Sequence, residues 1–146
     1  MKKVFLCITV FLYVWNMQSQ EKFYLLKEVD VAPKFKAYKN IDSLDSKKNF
    51  TLYLRRSIAI NLDISSYAGK KTKVFVEFVV EKTGVVKVLQ IKGKSDQAKA
   101  IVIQAFEKIK KLEPAILKNK KVNMKFIIPV TINEVIIIDK TNKHGW

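Results

Sequence analysis

Side chains able to do covalent or metal chemistry are few in this sequence. There is one histidine, His144, near the C-terminus, and one cysteine, Cys7, near the N-terminus. A metal centre needs three or four His, Cys, Asp or Glu side chains converging on one point. A phosphate cradle needs a glycine-rich turn opening a helix. The four glycines, Gly69, Gly84, Gly93 and Gly145, form no such turn. Glu77 and Glu81 stand four apart on a valine-rich stretch, which in an extended strand places them about 13 Å from each other, too far for two carboxylates to share a substrate atom. Ser65, Ser66 and Tyr67 have no neighbouring base to activate a hydroxyl. The inventory predicts a chain that is not an enzyme and takes no metal or cofactor.

The same sequence is well supplied with the means to fold. Its 146 residues are 49% hydrophobic and 28% charged, a balance that fits one globular domain with its own core. The formal net charge is +15, and of 28 basic residues only Arg55 and Arg56 are arginine. Scattered lysines without arginine forks do not make a nucleic-acid footprint. They fit either codon bias in an AT-rich genome or a long-range attraction to anionic lipid or cell-wall material.

Lys2 and Lys3 precede an uncharged run from Val4 to Trp15, and "NMQSQ" follows before the charged "EK". A basic start, a short apolar run and small or polar residues after it predict a secretory leader over residues 1–20, cleaved near Ser19 or Gln20. The run is shorter than the roughly 17 to 25 apolar residues of a spanning helix; an uncleaved anchor is the alternative. Without Lys2 and Lys3 the formal charge of +15 falls by two, and the exported chain holds no cysteine. An exported domain without disulfides fits a bacterial envelope protein that relies on its core.

The elements follow from periodicity. Residues 21–40 are an extended lead-in: "VDVAPKFKAYKN", Val29 to Asn40, carries Pro33 and no sustained period, and reads as an extended segment or short edge strand crossing the surface. Asp42, Ser43 and Asp45 are candidate caps for a helix whose Phe50, Leu54, Ile58 and Leu62 recur every fourth residue. Val74, Val76, Phe78 and Val80 alternate on one strand face. With Thr83-Gly84 at the turn centre, a hairpin sets Phe78 opposite Leu89 and Val76 opposite Ile91, leaving Phe75, Glu77, Val79, Val86, Val88 and Gln90 on a mixed second face. Ser95 caps a second helix with Ala98, Ile101, Val102, Ala105, Ile109 and Leu112 on one stripe and Pro114 as its stop. Val122, Met124, Phe126, Ile128 and Val130 alternate in a third strand, and Pro129 inside it argues for an edge, because proline cannot donate to a ladder. The prediction is an α+β domain over residues 41–133: a small antiparallel three-stranded sheet with two helices packed on one face. Residues 134–146 add a short strand at "VIIID" and a loose tail.

Three stretches carry a family resemblance: "VFVEFVVEKTGVV", Val74 to Val86; "VNMKFIIPV", Val122 to Val130; and "VDVAPKF", Val29 to Phe35. Together with the capped helix between the first two, they resemble the C-terminal domain of TonB, the periplasmic energy transducer of Gram-negative bacteria, from Val29 to about Asn133. After the Pro-x-Phe of the lead-in, many relatives continue with proline and a glycine pair, where this chain has Lys36-Ala37-Tyr38. Full transducers also carry an uncleaved membrane helix and a long proline-rich spacer, and neither pattern is found here.

The resemblance implies a periplasmic protein-interaction module for TonB-linked transmembrane transport. It would bind an extended peptide of an outer-membrane receptor, or another envelope protein, by strand addition. It places the partner-binding edge on the third strand: Val122, Asn123, Met124, Lys125, Phe126, Ile127, Ile128, Pro129, Val130 and Thr131. The alternative is a structural or assembly protein of the envelope, a homodimer or a subunit of a larger complex with cell-wall contact, that uses the same edge or the mixed sheet face.

Overall fold

The computed structural model describes residues 21–38 and 45–133. The predicted leader with Cys7, the candidate caps Asp42 and Ser43, and the stretch from Glu134 onward, with the expected short strand and His144, lie outside them.

Both predicted helices form. The first, α1, runs Ser46–Asn61, and Asp45 caps it by accepting the backbone amides of Lys47 and Lys48. Its core stripe is Phe50, Leu54 and Ile58, all buried, with Leu62 at the C-cap packed against the core. The backbone amide of Lys48 first, and then its ammonium, hold the Asp45 carboxyl below its ordinary value. In α2, Asp96–Glu107, the Ser95 side chain accepts the Ala98 amide, and Ala98, Ile101, Val102, Ala105 and Phe106 are buried. The helix stops at Glu107, ahead of Pro114. Ile109 and Leu112 are buried from the connecting segment rather than from the helix.

The sheet is larger than expected. Five strands, β1 (Phe23–Leu25), β2 (Thr72–Val80), β3 (Val86–Lys92), β4 (Ala115–Leu117) and β5 (Lys120–Ile132), make a mixed sheet in the order β1-β5-β2-β3, with β4 also paired to β5. The three-stranded antiparallel sheet is therefore corrected to its centre, β5-β2-β3, where both pairings are antiparallel. β1 lies parallel to β5. β1 and β4 are three residues each, too short for alternation to mark them. β4 turns into β5 through Lys118 and Asn119, both at positive φ (47° and 61°), the conformation a two-residue hairpin requires.

The β2-β3 hairpin departs from the predicted register at two points. Its loop closes with the Glu81 amide donating to the Val85 carbonyl and the Gly84 amide to the Glu81 carbonyl, so three residues, Lys82 to Gly84, make the turn. A bulge at Leu89 then shifts the pairing between Glu77 and Phe78. Val76 faces Ile91 as expected, while Phe78 faces Val88, not Leu89. The extra residue of a bulge reverses the alternation beyond it. Val86 and Val88 accordingly pack against the core, not on the mixed face, and Leu89 is exposed.

Both helices cover one face of the sheet. The core is built on Val74, Val76, Phe78 and Val80 of β2 with Met124, Ile128, Val130 and Ile132 of β5. A run of ring contacts ties the layers together: Phe35 stacks on Phe50, Phe50 meets Phe126 edge-on at 5.7 Å, Phe126 meets Phe78 at 5.8 Å, and Phe78 meets Phe106 at 5.2 Å. The lead-in does not simply cross the surface. Val29, Ala32 and Pro33 are buried, Val31 bridges Ile116 and Lys34 bridges Glu113, and the Ala32 amide donates to Ser46 Oγ. Lys36–Tyr38 form a short 3-10 turn.

Truncating Phe78 to Ala removes the ring between Phe106 and Phe126 and is expected to cost about 3 to 5 kcal/mol in a denaturant melt. Lys87→Ala, on an exposed site, should stay within about 0.5 kcal/mol. Equal effects would contradict the strand phase. Gly84 sits at φ +88°, and a Cβ there would meet the Leu112 carbonyl oxygen at 1.9 Å. Gly84→Ala is therefore expected to lower stability by more than about 1 kcal/mol, read as a fall in denaturation midpoint.

Candidate functional site

The predicted partner-binding strand is β5, and its ten residues have unequal surroundings. Val122 pairs with Ala115 of β4. Asn123, Met124 and Lys125 pair with Phe23, Tyr24 and Leu25 of β1. From Met124 onward the other side is taken by β2, with Phe126 opposite Phe78, Ile127 opposite Glu77, Ile128 opposite Val76, Pro129 opposite Phe75, Val130 opposite Val74 and Thr131 opposite Lys73. The expectation that this strand is the sheet's edge is thus narrowed to part of its length. β5 is internal at its first residues, and among the described residues only the stretch from Phe126 to Ile132 has no strand on the side away from β2. The signal that sequence reasoning missed was "FYL" at 23–25.

Pro129 fits this position for a physical reason. It has no amide to donate, so an antiparallel ladder accepts it where its nitrogen faces away from the partner strand. Amide directions alternate along a strand. Ile127 and Thr131 therefore share the phase of Pro129 and aim their N–H groups at the open side. Their side chains share a phase as well. Ile127, Pro129 and Thr131 are exposed on the face opposite the helices, while Ile128, Val130 and Ile132 are buried beneath them.

That outer face is mixed, as expected, though its membership changes with the bulge. Ile127 is 57% exposed and Phe75, opposite Pro129, is 47% exposed, with Leu25 beside them on β1. Val79 is buried. Lys125 and Glu77 are joined by an ion pair of 2.7 Å across the β2-β5 ladder, so Glu77 is a structural partner and not half of an acid-base pair. Glu81 flanks the hairpin turn, and its Oε2 accepts from the Thr83 hydroxyl.

The other long edge, β3, carries Lys87 and Lys92 and the Leu89 bulge. Lysines and bulges are the devices by which sheets discourage further pairing. The open part of β5 has no lysine between Phe126 and Ile132.

Asn123 is buried at the entrance to this strand and its Oδ1 accepts the Lys82 amide at 2.7 Å, which fixes the β2-β3 turn against β5. At Ser65, both the amide and the hydroxyl donate to Asp63 Oδ1, and Tyr67 donates to the Lys70 carbonyl. These are local turn bonds, and those from Ser65 hold the Asp63 carboxyl below its ordinary value, the hydroxyl contributing most. Among the described residues no three His, Cys, Asp or Glu side chains converge to hold a metal ion, and no helix is long and apolar enough to cross a membrane.

Replacing Asn123 by Ala removes the acceptor of the Lys82 amide. The expected cost is about 0.5 to 1.5 kcal/mol, with faster hydrogen exchange at Lys82; unchanged exchange there would contradict the turn anchor.

No curated protein and no solved structure matches this chain at a significant level. Residues 63–132 match the family model described as Gram-negative bacterial TonB protein C-terminal. The matched segment holds β2, β3, α2, β4 and β5; it includes the hairpin, the helix and the strand that carry the sequence resemblance, stops short of the lead-in stretch "VDVAPKF", and is similar to the TonB C-terminal family.

Proposed function

We propose that this chain is an envelope protein-interaction module that works in the periplasm and binds an extended segment of an outer-membrane receptor by strand addition to β5, in TonB-linked transport. The observation that carries the reading is the open side of β5 from Phe126 to Ile132, where the outward amides of Ile127 and Thr131 and the adjoining carbonyls are free of any strand among the described residues. Main-chain pairing at such an edge supplies affinity, and neighbouring side chains supply selection. The family match over residues 63–132 supports the same reading. The whole predicted site, Val122 to Thr131, is kept, with its second half as the receiving edge.

A second reading is favoured by a different observation. Phe75 and Ile127 are exposed on a sheet face that no described element covers, and such a face suits a homodimer or an assembly partner.

Hydrogen exchange with and without a receptor-derived extended peptide separates the two. New protection at Ile127 and Thr131 is the expected result. Protection of Phe75 and Val79 without a change at Ile127 and Thr131 would favour assembly, and protection nowhere would contradict both. Proline substitution sharpens the test. Ile127→Pro leaves the β2 ladder intact and should fold but lose peptide binding by about tenfold or more, since a strand partner loses a donor. Ile128→Pro removes an amide that faces β2 and should unfold or strongly destabilise the domain. If both substitutions were equally tolerated, the assigned amide directions would be wrong.

A further inference from the structure

The edge that strand addition would use is already half filled by the chain itself. β1 lies parallel to β5 with Phe23, Tyr24 and Leu25 beside Asn123, Met124 and Lys125. The open stretch of β5 begins at the next residue, Phe126. The chain leaves the edge there because it turns: the Glu28 amide donates to the Leu25 carbonyl at 2.9 Å, and the Leu25 amide donates to Glu28 Oε2 at 2.6 Å. A shallow concavity lined by Leu25, Leu26, Lys27, Lys125, Phe126 and Ile127 marks the point where β1 ends and the free edge starts.

β1 is lightly held for a strand at this position. It has three residues, of which Phe23 is 38% and Leu25 45% exposed. Only Tyr24 faces inward and packs against the core, with Lys22 over its ring at 5.0 Å. The residues before Glu21 lie outside the described part. A strand of this length ranks among the elements that open with the smallest free energy, and β1 lies outside the segment that carries the family match.

We propose that β1 is an intramolecular placeholder: Phe23–Leu25 occupy the first half of the β5 edge, and a partner's extended segment gains full access to Asn123–Thr131 by displacing them. This rests on the strand-addition reading above and specifies its partner. The displacing segment must repeat what β1 presents to the sheet, an extended stretch with an aromatic or large apolar residue facing the core beside Met124. It continues straight past Lys125 where β1 turns away, gaining the Ile127 and Thr131 amides that β1 does not reach. Release of β1 then frees residues 21–25, so binding and exposure of this segment are coupled. A docked β1 competes as a tethered ligand, and the apparent affinity of the partner falls by the fraction of molecules in which the edge is vacant.

The test uses the full chain and a synthetic peptide with the sequence of residues 21–28, EKFYLLKE, against a scrambled control. In a Cys7→Ser background, Leu25→Cys with Lys125→Cys places two thiols on neighbouring strands in register. Strand spacing is about 4.8 Å, inside the Cα separation a disulfide accepts. Oxidation locks β1 onto the edge, and reduction of the same protein releases it. A Tyr24→Asp chain, in which the inward ring is replaced by a charge, gives a second unlocked form; thermal melts establish that each variant is folded. The expected result is peptide binding at least about tenfold tighter in the reduced and Tyr24→Asp forms than in the oxidised form, with new exchange protection at Ile127. Equal affinity in oxidised and reduced forms would overturn the placeholder role, and leaves strand addition standing if Ile127 is protected in both. Binding in no form also overturns it. If the β1 peptide binds as expected while a receptor-derived peptide does not compete with it, the placeholder stands and the receptor reading falls.

Discussion

The antiparallel ladder between β2 and β5 is the constraint on which the rest of the structure depends. Thr72 to Val80 run against Ile132 to Met124 without a break in register, and because side chains alternate, that single alignment sends Val74, Val76, Phe78 and Val80 to the same face as Met124, Phe126, Ile128 and Val130. A shift of one residue would turn every one of them to water. The helices have a place to pack only because this face is uniformly apolar. The same alignment puts Phe75, Ile127 and Pro129 on the other face, and it fixes which β5 amides point inward to β2 and which are left for another strand.

What was legible in the sequence was legible through this period. The alternation of Val74 to Val80 and of Val122 to Val130 marked both strands of the ladder, and the four-residue recurrence of Phe50, Leu54 and Ile58 marked α1. Asp45 and Ser95 stood where helix caps stand, and both cap. What was not legible has no period to read. β1 and β4 are three residues long and owe their conformation to the strand they pair with. The Leu89 bulge could not be read from alternating valines, since Val86 and Val88 alternate on either face equally well. Pro129 falls where no described strand lies beside β5, but proline reports only on the direction of its own nitrogen, so it could not say which part of the strand lacks a neighbour.

The functional consequence is local. An edge offers two things to a partner, free amides and free carbonyls, and among the described residues β5 has them only from Phe126 onward. Before that residue the chain supplies its own strand. The β3 edge is of the same length but bulged and bears lysines, so the sheet's two long edges differ in kind. The Lys125–Glu77 ion pair, about one-third and one-quarter exposed, stands at the junction between the filled and the open parts of β5. An ion pair this exposed adds little to stability; its effect is to hold the Lys125 side chain across β2 and away from the open side.

The central claim is that the side of β5 that no described strand covers, from Phe126 to Ile132, is open to a partner in the free protein. Residue-resolved amide exchange of the unliganded chain tests it most directly, because the ladder alternates. The account predicts slow exchange at Phe126, Ile128, Val130 and Ile132, whose amides face β2, with fast exchange at Ile127 and Thr131. Slow exchange at Ile127 and Thr131 as well would contradict it, since those amides would then already have a partner.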